Sequence, residues 1–293
     1  MNALYSLPVG RADCHVLLLE SKDQSYCVVI DAGWYPPADK HVLKDFLLQH
    51  NIRKIDLLII THLHMDHQAA LAAITDTVTV EHAILPTALP ISVTDDICQT
   101  QPGNKYLLSL KDYAGFFQWC LESGTKVEDI MTYAEGGCVC LGDAALRCLY
   151  PRRDTPLPSV DYALKMCSPD ITADKCVAFE NLSRRHANGD SSVWLLEIGG
   201  EQKALFMGDA PMSTIETPLA EGALHPTIVK LPHHGLSGGY FDLNDLVRLQ
   251  PKELIVCSEL PKASEAMTQC ASMARSCGAD IFFTACDTVI RRL

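Results

Sequence analysis

The segment "THLHMDHQ" (residues 61–68) sets His62, His64, Asp66 and His67 within six positions, directly after the apolar run "IDLLII". Imidazole nitrogens with a carboxylate oxygen suit borderline divalent cations such as Zn²⁺ or Mn²⁺. His62 and His64 occupy alternate positions of extended backbone leaving a strand, so a twist of the loop brings both rings toward one point. Asp66 and His67 follow where a helix begins. Four ligands from one loop cannot close around one ion without strain. The spacing therefore suggests two ions, His62 and His64 on one, Asp66 and His67 on the other. Such a pair needs a bridging carboxylate and further histidines. "LFMGD" puts Asp209 at the carboxyl end of an apolar strand, and "IVKLPHHG" puts His233 and His234 at the end of another. Gly208 and Gly235 leave room there for close backbone approach. Two cations so held would lower the pKa of a bound water and neutralise charge on a leaving oxygen, which is the chemistry of metal-assisted hydrolysis.

The elements that carry these residues alternate. Strands are expected over 15–20, 25–33, 54–62 and 79–86, with helices over 38–51 and 66–76 between them. This β-α-β-α-β rhythm argues for a layered α/β arrangement. A long amphipathic helix is expected over 104–124, stopped by Gly124, and a strand over 142–151. Residues 155–190 hold three prolines and many polar residues without a period. They are expected to be irregular and to act as a lid. Strands return over 192–209, 226–235 and 251–259, then a helix over 264–278 and strands over 279–293.

The 293 residues are 48% hydrophobic and 20% charged, an ordinary globular composition. With 36 acidic against 24 basic residues the formal charge is −12, which disfavours broad binding to duplex DNA. "YPRRD" (150–154) and "SRRH" (183–186) are read as solvated loops rather than a cationic groove. The amino-terminal stretch lacks a basic segment followed by an apolar one, so no signal peptide is expected. No apolar run approaches the roughly 20 residues that span a bilayer. Thirteen cysteines without any C-x-x-C suggest small buried apolar residues in a reducing cytoplasm. Cys138 and Cys140 in "CVC" could bind a soft metal, but strand alternation is read as sending them to opposite faces.

Taken in order, "VVIDAG", "THLHMDH", "LFMGD" and "KLPHHG" resemble the metallo-β-lactamase superfamily, whose hallmark is H-x-H-x-D-H. The resemblance runs from near Leu4 to near Arg292. Within the superfamily, "PVGRADCHVLLLE" and "SSVWLLEIGG…LFMGD…LPHHG" are similar to the hydrolase domain of DNA-uptake competence proteins and its stand-alone relatives. This implies an α/β (α+β) fold, a four-layer αββα sandwich formed by residues 1–293 as one domain, with the metal site along one edge of the two sheets. It implies that His62 and His64 bind the first ion, that Asp66, His67 and His234 bind the second, and that Asp209 bridges them. Asp31 is expected behind these ligands, hydrogen-bonded to the metal loop. His233 is expected beside them, as a support or a proton donor, and exchanges roles with His234 if the register shifts by one residue. Most relatives supply a third histidine to the first ion shortly before the strand that leads to "GD". Counted back from Ser192, that position here is Asn188, with Asp190 the nearest charged candidate ligand and His186 slightly out of register.

The expected activity is hydrolysis of a phosphodiester or other small phosphate ester by metal-activated hydroxide, with Asp66, His233 and Asp209 serving the reaction. The final "LPHHG" and the absence of the H-x-P-G-H stretch of many thioesterases and lactonases motivate this reading. A thioester, lactone or carboxylic ester hydrolase on the same site is the alternative. A di-iron redox enzyme and a non-catalytic metal-binding module rank lower. The expected ions are two divalent cations, Zn²⁺ or Mn²⁺, with iron also admissible. The expected substrate is a small molecule or short oligonucleotide.

Overall fold

Strands β3 (Ser25–Ala32) and β4 (Lys54–Ile59) bury residues of both faces, the pattern of parallel strands covered on two sides. Val28 and Ile30 of β3 and Leu57 and Ile59 of β4 share one core with Trp194, Leu196 and Phe206. Their neighbours Val29 and Leu58 turn the other way, into a core with Leu43, Leu47, Tyr113 and Phe116. A third core joins Val193, Leu195 and Leu205 to Leu246, Leu249 and Cys270. Three stacked cores separate four layers: helices, sheet, sheet, helices.

The computed structural model that gives this arrangement describes residues 2–22, 24–36, 38–89, 103–134, 136–168, 170–258, 260, 264–285 and 287–293. Among these, the first sheet runs β14 (Val289–Arg292), β1 (Ala3–Ser6), β2 (Cys14–Glu20), β3, β4, β5 (Thr79–Leu85) and β6 (Lys126–Asp129). The second runs β13 (Asp280–Phe283), β12 (Glu253–Val256), β11 (Ile228–Lys230), β10 (Glu201–Phe206), β9 (Val193–Ile198), β8 (Ala144–Tyr150) and β7 (Cys138–Leu141). β3, β4, β5 and β6 are parallel, as are β10, β11, β12 and β13. In open parallel sheets the carboxyl ends of the strands collect function. Here Asp31, the 61–67 loop, Asp209 and His234 all sit at or just after such ends.

Several elements differ from expectation. Residues 155–190 are not irregular but hold two helices, Pro158–Met166 and Ala173–His186. Their polar residues serve as caps rather than breaks. Pro158 stands in the first turn, where a missing N–H costs nothing, and Thr172 Oγ1 accepts the Lys175 N–H at 3.4 Å. The third proline of the segment lies outside the described residues. The Ser183 hydroxyl donates to the Ser159 carbonyl at 2.8 Å and stands 2.7 Å from the Tyr106 hydroxyl, tying the pair to the helix Lys105–Ser123. The helix expected over 38–51 is confined to Val42–Gln49, and that over 66–76 breaks into Met65–Gln68 and a 3₁₀ turn Leu71–Ala73. The strand expected over 226–235 stops at Lys230. Pro232 cannot donate to a ladder, and His233 and His234 turn left-handed with φ of 47° and 54°. Among the described residues no helix is long and apolar enough to cross a membrane.

Candidate metal centre

Asp31 closes β3 with φ 59°, a conformation that non-glycine residues hold only where the surroundings impose it. Its Oδ1 accepts the Thr61 N–H at 2.8 Å. Its Oδ2 accepts the Thr61 hydroxyl at 2.9 Å and His67 Nδ1–H at 2.8 Å. Having donated to Asp31, the Thr61 hydroxyl accepts from His62 Nδ1 at 3.1 Å. Asp13 Oδ1 accepts from His234 Nδ1 at 3.1 Å. Three rings are thus held through Nδ1 with Nε2 aimed inward, the arrangement that prepares a histidine to ligate. His64 is reversed, because its Nε2 donates to the Arg184 carbonyl at 2.8 Å and leaves Nδ1 free to face the others.

The inward atoms converge. His67 Nε2 lies 3.2 Å from Asp209 Oδ1, and His234 Nε2 lies 3.1 Å from Asp66 Oδ2. His62 Nε2 and His234 Nε2 stand 3.9 and 3.8 Å from Asp209 Oδ2. Donors about 2.0–2.1 Å from one tetrahedral ion stand about 3.3 Å apart, close to these values. The ligand atoms of Asp13, His67, Asp209 and His234 lie within 4.8 Å of one another, as do those of His62, His64 and Asp209, so Asp209 is common to both sets. His62 Nε2, His67 Nε2 and Asp209 Oδ1 are buried without a hydrogen-bond partner. Each such orphan costs about 1–3 kcal/mol unless another group satisfies it. Buried, unpartnered nitrogen and oxygen donors aimed at one place fit divalent cations.

Electrostatics point the same way. Burial pushes the His62 imidazole well below the ordinary histidine range, helped by the neighbouring His67 and His64. Burial would depress His67 and His234 too, but carboxylates outweigh it. Asp209, Asp31 and Asp13 hold His67 well above its ordinary value, and Asp209 and Asp13 hold His234 at about 9. The site thus carries an acidic surplus that protons neutralise and that a divalent cation can take over. Two glycines let the segments approach. A Cβ on Gly33 would stand 1.7 Å from the Asp66 carbonyl oxygen, and one on Gly208 would stand 2.2 Å from Ser191 Oγ. That Ser191 hydroxyl oxygen accepts the Asp209 N–H at 3.0 Å.

A sequence profile described as the Metallo-beta-lactamase superfamily matches residues 9–114, the stretch that carries Asp13, Asp31 and the histidine loop. Over that stretch the chain matches the metallo-beta-lactamase superfamily. It is also similar to the endoribonuclease YSH1 of Candida albicans, 33% identical over 63 residues. That alignment covers 22% of this chain and 7% of the length of the endoribonuclease. Among solved structures, a diphosphatase of the PhnP family aligns over 99% of this chain and 98% of its own, at 12% identity and a TM-score of 0.48. BJP-1, a subclass B3 metallo-beta-lactamase of Bradyrhizobium japonicum, aligns over 93% and 91%, at 14% identity and a TM-score of 0.39.

Four further residues were expected near the site. His233 Nε2 stands 4.0 Å from Asp209 Oδ2, its ring packs 4.2 Å from Tyr240, and burial lowers its pKa to about 4. His233 is half-buried and lines a cavity of about 440 Å³ with Tyr240 and Gln269. Asn188 Nδ2 donates to the Tyr240 hydroxyl at 2.8 Å, and its Oδ1 is buried without a partner. His186 stacks at 6.2 Å on Tyr162 and is not among the converging groups. Nor is Asp190, whose Oδ2 accepts the Ser159 N–H at 2.6 Å and so faces the helix Pro158–Met166.

That burial raises the Asp190 carboxyl from 3.8 to about 6. A folded-state pKa above the unfolded one means that ionisation opposes folding, so stability falls as pH rises through this interval. Asp190→Asn is therefore expected to be more stable than wild type at pH 7, by roughly 1–2 kcal/mol. The two denaturation midpoints should converge below about pH 4. Identical urea curves at neutral pH would show that the carboxyl ionises without cost.

Asp13, Lys230, Thr61 and Ser191 belong to the site and were not anticipated. The Lys230 ammonium is buried against Asp13 Oδ2 and donates to the Gly208 carbonyl at 2.7 Å. The available signals were a lone acid in "GRADC" and a lone lysine inside the apolar "TIVKLP".

Proposed function

We propose that this protein is a hydrolase, a dinuclear phosphodiesterase acting on a small phosphate ester or short oligonucleotide. His62 and His64 would hold one ion, Asp66, His67 and His234 the other, and Asp209 would serve both; Zn²⁺ and Mn²⁺ suit this nitrogen and oxygen set. The observation that carries the reading is the pair of buried, unpartnered Nε2 atoms of His62 and His67 facing Asp209, one ring fixed from behind by a hydroxyl and the other by a carboxylate. Two ions held by these residues would supply an acidified water and neutralise charge on a departing oxygen. The protein's own tasks are then orientation and proton transfer. Asp31 and Asp13 fix which nitrogen faces inward. His233, depressed to about 4 and open to a cavity, is neutral at pH 7 and able to accept a proton at its free nitrogen. The −12 charge favours a small or short phosphate ester over long duplex DNA. Residues 1–293 would work as one domain, with the helical pair of 158–186 covering the side where His64 meets Arg184. A cytoplasmic location accords with eleven free thiols among the described cysteines.

The test is a substrate panel with protein loaded with Zn²⁺ or Mn²⁺. Bis(p-nitrophenyl) phosphate should be hydrolysed in preference to lactone, thioester and carboxylic ester substrates. Turnover of those substrates with the phosphodiester left intact would overturn the proposal.

Asp31→Asn gives an independent check on the scaffold. An amide cannot accept from both Thr61 and His67 at one oxygen while keeping the Thr61 N–H, so the rings lose their fixed orientation. Metal affinity, measured by chelator competition, should fall about 10–100-fold. An unchanged affinity would mean that the metal loop needs no such anchor.

A further inference from the structure

Cys138 and Cys140 lie two residues apart on β7, so the two-residue period of a strand puts them on the same face, not on the opposite faces expected from the sequence. Both are exposed, and their sulfurs stand 4.0 Å apart. Among the described cysteines no other is exposed; Cys167 and Cys277 are half-buried and the rest are buried. β7 is the terminal strand of the second sheet and pairs with β8. It is separated by β8 and β9 from β10, after which Asp209 follows. Arg147 stands opposite Cys138 in the β7–β8 register, which puts both on one face. Its guanidinium is fixed by Glu197 at 3.1 and 3.2 Å and donates to the Gly136 carbonyl at 3.4 Å. The Arg147–Glu197 ion pair therefore shares a strand-pair face with Cys138.

We propose that Cys138 and Cys140 form a surface dithiolate site that chelates one soft monovalent cation of the copper(I) class, separate from the histidine–aspartate cluster. Thiolates are soft donors that select such ions. With metal–sulfur bonds of about 2.3 Å, a 4.0 Å sulfur separation corresponds to a sulfur–metal–sulfur angle of about 120°. Rotation of two exposed side chains opens that angle further without moving the backbone. Among the described residues no third histidine, cysteine or carboxylate clusters with the pair. Zinc seeks four donors, so a two-donor site favours an ion of low coordination number. Binding breaks two S–H bonds and forms two sulfur–metal bonds; both protons pass to water and no electron moves. The Cys140 thiol is held above its ordinary pKa by its contact with Cys138, so a second negative charge there needs a cation to balance it.

The test delivers copper(I) from a chromogenic chelator to phosphine-reduced protein under anaerobic conditions. Wild type should retain one equivalent more than the Cys138→Ser/Cys140→Ser double variant. X-ray absorption of that equivalent should show two sulfur neighbours. Each single serine variant should hold it about 10²–10⁴-fold more weakly, the loss of chelation. Far-UV circular dichroism and hydrolase activity should be the same in all four proteins. As a second measurement, alkylation of wild type mapped to Cys138 and Cys140 should abolish the same equivalent. Equal copper uptake by wild type and double variant, single variants that bind as tightly as wild type, or nitrogen and oxygen neighbours around the extra ion would each overturn the proposal.

Discussion

With Asp209 replaced by alanine, turnover is expected to fall by at least about a thousandfold while the chain stays folded. The carboxylate faces His62, His67 and His234 from the carboxyl end of β10 and belongs to both sets of converging ligand atoms. Charge stabilisation by bound cations contributes several kcal/mol to such reactions, and each 1.36 kcal/mol is a factor of ten, so about 4 kcal/mol gives the expected loss. The strands themselves are held by cores that Asp209 does not enter. Steady-state rates on bis(p-nitrophenyl) phosphate, metal content and circular dichroism check the three parts separately. A variant that keeps more than a tenth of the wild-type rate would remove Asp209 from the reaction. A variant that unfolds would make it a structural residue.

Lys230→Met should be the most damaging change outside the ligands. Lys230 and Asp13 are both about 1% exposed and oppose each other beneath the site. Asp13 is drawn well below the usual carboxylate range: burial alone would raise it, but Lys230, His67 and His234 together outweigh that. Removing one partner of a buried pair leaves an uncompensated charge, at a cost of about 3–5 kcal/mol. For a chain of this size that lowers the melting temperature by roughly 5–8 °C. Adding Asp13→Asn should restore part of the loss, because the double variant buries no unpaired carboxylate there. A single variant that melts within 2 °C of wild type would show that Asp13 finds its compensation elsewhere.

The histidine loop and the aspartate and histidine ends of β10 and β11 were legible because each couples a local residue pattern to an apolar run that must be a strand. The parallel order of β3–β4 and β10–β11 then brings those ends together. Asp13 was not legible, since its partner His234 lies 221 residues away and nothing local to "GRADC" marks the contact. Thr61 was hidden in plain view: the hydroxyl beside His62 relays the hold of Asp31, a role that no ligand spacing expresses. Residues 155–190 misled for another reason. Proline and threonine at helix starts look like breakers when position within the turn is unknown, and Pro158 and Thr172 are both starts. In the "CVC" pair the two-residue period of β7 puts both thiols on one side, not on opposite faces.

The ends of β4 and β10 belong to different sheets, and the inward donors come from segments as distant as His62 and His234. During synthesis the loop with His62, His64, Asp66 and His67 emerges long before Asp209 and His234 exist to complete it. A nascent chain stopped before residue 209 can offer a cation at most a partial, exchangeable seat. Firm capture must wait until the second sheet has formed and docked, so ion uptake reports the closing step of maturation rather than its beginning.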